Sequence, residues 1–212
     1  MADTAVHDGP PARGGYHHGD LPNALTEAAV ALASEGGPGA VVLRAAARRV
    51  GVSATAAYRH FAGHADLLRA VKERSQRLLD ASVATALAAS PPLPERGDEA
   101  ERRLRAIAEA YVSFALGQPG LFRSCFCHTD DENPPDPRAY GTYQLLREVL
   151  DELAEAGRVS PGLREDAEAA VWSTVHGLAT LLLDGPLSVL PEPRRRAVVE
   201  RSLDGMVHGL RS

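Results

Sequence analysis

"LRAAARRVGVSATAAYRHFAGHADLL", residues 43–68, decides how this chain is read. Two short alanine-rich runs flank Gly51, and Leu43, Ala46, Ala47 and Val50 fall at helical spacing on one face. Glycine ends a helix well, and Ser53 is placed to cap the next one. Two short helices joined by such a turn make a helix-turn-helix, whose second helix lies in the major groove of DNA. Here the turn is "VGVS" and the second helix is "ATAAYRH". Its first side chains, Ala54 among them, are small enough to let the backbone approach base edges. Tyr58 and His60 offer donors to phosphate oxygens, and Arg59 can reach phosphate or guanine. The competing reading makes "YRHF" the end of a core helix in another kind of helical protein. Phe61 is core in both.

Working outward, the 212-residue chain is 44% hydrophobic and 24% charged, ordinary for a globular protein, and rich in the helix formers Ala, Leu and Arg. No apolar run reaches the length of a membrane span, and the polar N-terminus has no secretory signal core. Two cysteines, Cys125 and Cys127, make no disulfide framework, so a reducing cytoplasm is expected. The net charge of −5 conceals an asymmetry. Residues 40–77 hold Arg44, Arg48, Arg49, Arg59, Arg69, Lys72, Arg74 and Arg77 against Asp66 and Glu73 alone. A basic segment in an acidic chain points to a polyanionic partner for that part; the bland alternative is a solvated helix face.

Helical periodicity continues along the chain. Residues 1–19 read as a flexible arm. Asp20 is placed to cap a first helix that "EGGPG" stops. A long helix over 65–89 carries Leu67, Val71, Ser75, Leu78, Ser82 and Ala86 on one stripe. "SPPLPERG", residues 90–97, is a stiff break. Further helices are expected near 98–117, 119–127, 137–156, 161–184 and 193–210. No strand-period run occurs. The expected architecture is all-α, with about nine helices: an arm at 1–19, a helix-turn-helix unit at 20–64, and a larger helical body at 65–212.

Together these residues resemble the TetR family of transcriptional regulators. The likeness rests on the Leu-Arg start at Leu43, Gly-Val-Ser before the second helix, Tyr-x-His-Phe at its end, and Asp-Leu-Leu opening the long helix. "YHHGDLPNALTEAAVALASEGG", "QPGLFRSCF" and "VWSTVHGLATLLLDGPL" extend it to one subgroup with a late Trp…His-Gly signature, here Trp172, His176 and Gly177. The resemblance implies that Arg44 contacts DNA, that Thr55 and Arg59 read bases, and that Ser53, Tyr58 and His60 hold phosphates. His64 stands where the family usually has lysine, and Val42 where it has Ser or Thr. Both changes remove a phosphate ligand, which predicts a modest operator affinity or a larger share for Arg13, His17 and His18 in the arm.

The resemblance also implies a homodimeric, ligand-responsive repressor of a double-stranded operator, with an effector pocket between residues 98 and 184. Tyr111, Phe114, Phe122, Phe126, Tyr143 and Trp172 gather there, with His176 nearby, and a hydrophobic or amphipathic small molecule is expected. Each aromatic also reads as ordinary core. The last two helices would pair across a two-fold axis through Ala170, Thr174, Gly177, Leu178, Leu181, Val199, Leu203, Met206 and Leu210. "CFCH", residues 125–128, lacks the ligand count of a closed metal site, so neither metal nor cofactor is expected. No phosphate loop, nucleophile elbow or paired carboxylates support an enzyme. A helical ligand-binding and dimerisation protein with weak or lost DNA recognition is the alternative, and it rests on Val42 and His64.

Overall fold

The computed structural model describes residues 20–127 and 136–211. Among these there are nine α-helices and no strand: α1 (Leu21–Gly36), α2 (Leu43–Val50), α3 (Ala54–Tyr58), α4 (His64–Ala88), α5 (Arg96–Gly117), α6 (Pro119–Cys125), α7 (Gly141–Glu155), α8 (Ala167–Leu183) and α9 (Glu192–Gly209).

Local chemistry sets most of these bounds. Gly51 adopts φ 83°, the left-handed conformation that lets its amide close α2 onto the Ala47 and Arg48 carbonyls. Ser53 caps α3, its Oγ accepting from the Ala56 amide at 3.1 Å. Glu95 accepts from the Gly97 and Asp98 amides and starts α5 at Arg96. Asp20 does not cap α1 as expected: its carboxylate takes the Asn23 side-chain amide at 3.2 Å, and Pro22 in the first turn leaves one fewer amide to satisfy. Pro137 and Pro161 begin short 3-10 turns, not α-helices, so α7 and α8 start later than the sequence predicted.

In the N-terminal unit, α1, α2 and α3 close around Leu25, Ala29, Val41, Leu43, Ala46, Ala57 and Phe61, all buried. Helix α4 belongs to this unit and to the body at once. Leu67, Leu68 and Val71 are buried at its start, and Leu79 and Val83 further along. Leu78, Ser82 and Ala86, which the sequence placed on the packed stripe, instead line an open groove beside α5. The body packs α5 centrally against α4, α7 and α8, with Leu104, Ile107, Tyr111, Leu150 and Leu182 in its core.

Helix α6 wedges between the two units. A Cβ on Gly120 would lie 2.0 Å from the Ala33 carbonyl oxygen, so only glycine permits this backbone-to-backbone approach to α1. Arg123, also on α6, pairs with Asp184 at the end of α8.

Candidate nucleic-acid interface and effector cavity

On the N-terminal unit, arginines divide into two sets. Arg49 pairs with Glu35 at 2.5 Å, Arg69 with Asp66 at 2.9 Å and Arg74 with Glu27 at 2.7 Å. These tie α2 to α1, the start of α4 to itself, and α4 to α1. No carboxylate among the described residues pairs with Arg44, Arg48 or Arg59, and all three are exposed. Arg44 and Arg48 lie one turn apart on α2 and share a face. Unpaired cations on one side are what phosphate contact requires.

The short helix α3 presents Thr55 and Tyr58 to solvent, with Ala54 half-buried, and it ends at Tyr58, so Arg59 and His60 are exposed in the turn that follows and not in the helix as expected. Tyr58 is 48% exposed while Ala57 and Phe61 anchor the helix from beneath. Ser53 spends its oxygen on the cap and keeps its proton for an outside acceptor. His64 opens α4 and is exposed. Val42 is 47% exposed at the N-cap of α2 and supplies no side-chain cap bond. Asp66 was not anticipated as a positioning residue: it accepts from the Ala62 amide at 3.0 Å and holds Arg69, fixing the turn between α3 and α4. The arm residues Arg13, His17 and His18 lie outside the described residues.

The body encloses an apolar cavity of about 40 Å³. Of the expected pocket residues, Tyr111, Phe126, Tyr143 and Trp172 line it. Phe122 backs the wall, edge-on to Tyr111 at 5.5 Å. Phe114 instead lines the groove between α4 and α5. The sequence reading missed Tyr140, which follows the proline-rich loop, and Gln76, Asp80 and Thr142. Asp80 lies on α4. Its Oδ1 accepts from both the amide and hydroxyl of Thr142, at 2.8 and 2.6 Å, and so caps α7 from a neighbouring helix.

Trp172 and His176, one turn apart on α8, converge on Tyr111. The indole Nε1 donates to the Tyr111 oxygen at 3.2 Å, and that hydroxyl lies 2.9 Å from His176 Nδ1. The indole can only donate, so the Tyr111 oxygen accepts from it; with His176 protonated on Nε2, the hydroxyl donates its own proton to Nδ1, the tautomer in which both donors meeting here have an acceptor. Burial pushes the Tyr111 phenol up and the His176 imidazole down from their ordinary values, so both are neutral at pH 7. His176 also borders an open pocket with Phe126, Trp172 and Ser173. Burial pushes the Cys125 thiol up to about 12, so it is protonated at neutral pH, and His128 lies outside the described residues.

Of the expected dimer residues, Ala170, Thr174 and Leu181 are exposed and Gly177, Val199 and Met206 half-buried. Leu178, Leu203 and Leu210 are instead buried in the chain's own core, where α9 packs on α8, and offer no surface to a partner. Among the described residues no helix is long and apolar enough to cross a membrane.

A helix-turn-helix with an exposed basic face, continued by one helix into a larger helical body, is the architecture of a DNA-binding regulator. Residues 25–71 match the model of bacterial regulatory proteins of the tetR family, and residues 104–206 that of the tetracyclin repressor-like C-terminal domain. The chain belongs to the TetR family and is a DNA-binding transcriptional regulator. No curated protein matches it. Among solved structures, a protein of unknown function from Rhodococcus sp. RHA1 is 28% identical with a TM-score of 0.76, over 94% of this chain and 100% of that one. A TetR family regulator from Marinobacter aquaeolei VT8 (18% identity, TM-score 0.60, 86% and 93% coverage) shares the fold. So does a TetR variant from Acinetobacter baumannii AYE in complex with minocycline (22%, 0.60, 90% and 97%).

Proposed function

We propose that the chain acts as a homodimeric repressor that leaves a pseudo-palindromic operator when a small hydrophobic or amphipathic molecule enters the Trp172 cavity. The observation that carries this is the shared helix: α4 holds the helix-turn-helix by Leu67 and Leu68 and forms the cavity wall by Leu79 and Asp80. A ligand that expands the cavity therefore acts on the rod that orients α3, provided it binds the two orientations unequally. The small cavity volume supports a DNA-bound state that is closed around little or nothing. The Acinetobacter relative's complex with minocycline lends support from a protein of the same fold.

In this reading residues 20–64 recognise DNA, residues 65–212 bind effector and dimerise, and the arm at 1–19 assists. Arg44, Thr55 and Arg59 would face bases, and Ser53, Tyr58, His60 and His64 the backbone. The partner copy would meet the face of Ala170, Thr174, Gly177 and Leu181, placing two recognition helices about 34–36 Å apart. Selection from a random duplex library should return a palindrome whose affinity falls steeply with salt. Tyr58→Ala should weaken all duplexes alike, whereas Arg59→Ala should also relax preference at one base position by about 1–3 kcal/mol. Failure to enrich any sequence above random duplex refutes the reading.

A further inference from the structure

Tyr111, Trp172 and His176 fix more than their own contacts. Only with the His176 proton on Nε2 do both donors meeting at the phenol find acceptors: the indole gives to the phenol oxygen and the phenol to Nδ1. The other tautomer leaves the proton of a buried hydroxyl unpaired, which is costly. No acceptor among the described residues takes the Nε2 proton, and that nitrogen is open to solvent. The ring itself is held edge-on to Phe126 at 4.9 Å and tilted against Phe122 at 5.6 Å. His176 is not part of the closed cavity's wall. The space it meets is the open pocket of about 300 Å³ that it shares with Phe126, Trp172 and Ser173. Such a volume lies at the lower end for small-molecule pockets. Ser173, three residues before His176 on α8, adds a hydroxyl to the lining.

The pocket thus offers two aromatic walls, Phe126 and Trp172, and an uncharged N–H donor of fixed orientation. Its lining has no lysine, arginine, aspartate or glutamate. A carboxylate would give up water for one uncharged donor, and an ammonium would find no acceptor on the imidazole. A neutral carbonyl oxygen suits the donor, with an apolar body against the two rings. We propose that this pocket binds an apolar molecule through one neutral carbonyl oxygen, a ketone or ester, with His176 Nε2 as the donor. This narrows the effector reading above and rests on it, because Phe126 and Trp172 line the pocket and the closed cavity alike. A guest pressed against them bears on the cavity wall that α4 completes through Gln76 and Leu79.

Trp172 is the chain's single tryptophan and a wall of this pocket, so intrinsic fluorescence reports its occupancy. Titrate the full chain with cyclohexyl methyl ketone, with its hydrocarbon shape analogue isopropylcyclohexane, and with cyclohexanecarboxylate. The ketone should saturate, and the carboxylate should give no saturable change. His176→Phe keeps a ring and removes the donor, so it should weaken the ketone about fivefold and leave the hydrocarbon unchanged. Should that variant unfold, nitrogen NMR of the parent chain serves instead. The imidazole N–H resonance of His176 should move with the ketone and stay in place with the hydrocarbon. Carboxylate binding as tight as the ketone's, an unchanged ketone midpoint in His176→Phe, or an unmoved N–H resonance overturns the proposal. Duplex binding measured in parallel separates the two readings. Saturation by the ketone without DNA release leaves this pocket standing and removes its effector role. DNA release by a compound lacking a carbonyl, from a chain that ignores the ketone, does the reverse.

Discussion

The Tyr111 hydroxyl has one proton and two neighbours, and neutrality of His176 is what lets it serve both. A proton on Nδ1 would turn the phenol into a double acceptor and strip its own proton of this partner, and desolvation already holds the imidazole below its ordinary value of 6.5. The sign of the pH effect follows. The unfolded chain takes up this proton first, so stability is whole above the ordinary imidazole value and is lost as pH falls toward the lowered folded one. Between about pH 7.5 and 5 the melting temperature should therefore fall more steeply in the parent chain than in His176→Gln. Parallel slopes would assign the acid sensitivity to other groups. The same residue pair explains a spacing that the sequence offered only as a signature: a tryptophan and a histidine one helical turn apart both reach a single phenol.

At the level of elements, α6 is held against α1 by the absence of one methyl group. Gly120→Ala would place that methyl 2.0 Å from the Ala33 oxygen, and backbone cannot yield as a side chain can. A loss of about 2–3 kcal/mol is expected, or roughly 5–10 °C in Tm for a chain of this size. An unaltered melting curve would mean that α1 and α6 separate at no cost. Nothing in the sequence announced this contact, because "QPGLF" reads simply as a helix start. The helices themselves were legible, since glycine, proline and Ser53 punctuate them. The packed stripe of α4 was legible only as far as Ser75. Beyond it the helix meets α6 at Gln76 and α7 at Asp80, and the buried side moves to Leu79 and Val83. Which neighbour covers which face is tertiary information. Tyr140 and Asp80 were missed for the same reason: both acquire their role from elements distant in sequence.

For the molecule as a whole, the exposed side of α8 is the place to test assembly. A Cβ on Gly177 meets nothing within 4 Å in its own chain. Gly177→Arg should thus leave the protomer intact and even strengthen α8 by about 1 kcal/mol, while a partner pressed against that face would be expelled. Sedimentation should show the parent as a dimer and the variant as a monomer of equal helicity. A variant that remains dimeric would move the seam elsewhere.

The 25 residues of α4 have a consequence for how such a chain can change over time. Reading unit and sensing unit are two stretches of one screw, and a screw keeps phase. Each residue gained or lost between Val71 and Leu79 would turn one unit against the other by about 100° and shift it by about 1.5 Å. The proline-rich segment at 90–95 can lengthen or shorten without that penalty, whereas the span between groove and cavity is fixed in both length and angle.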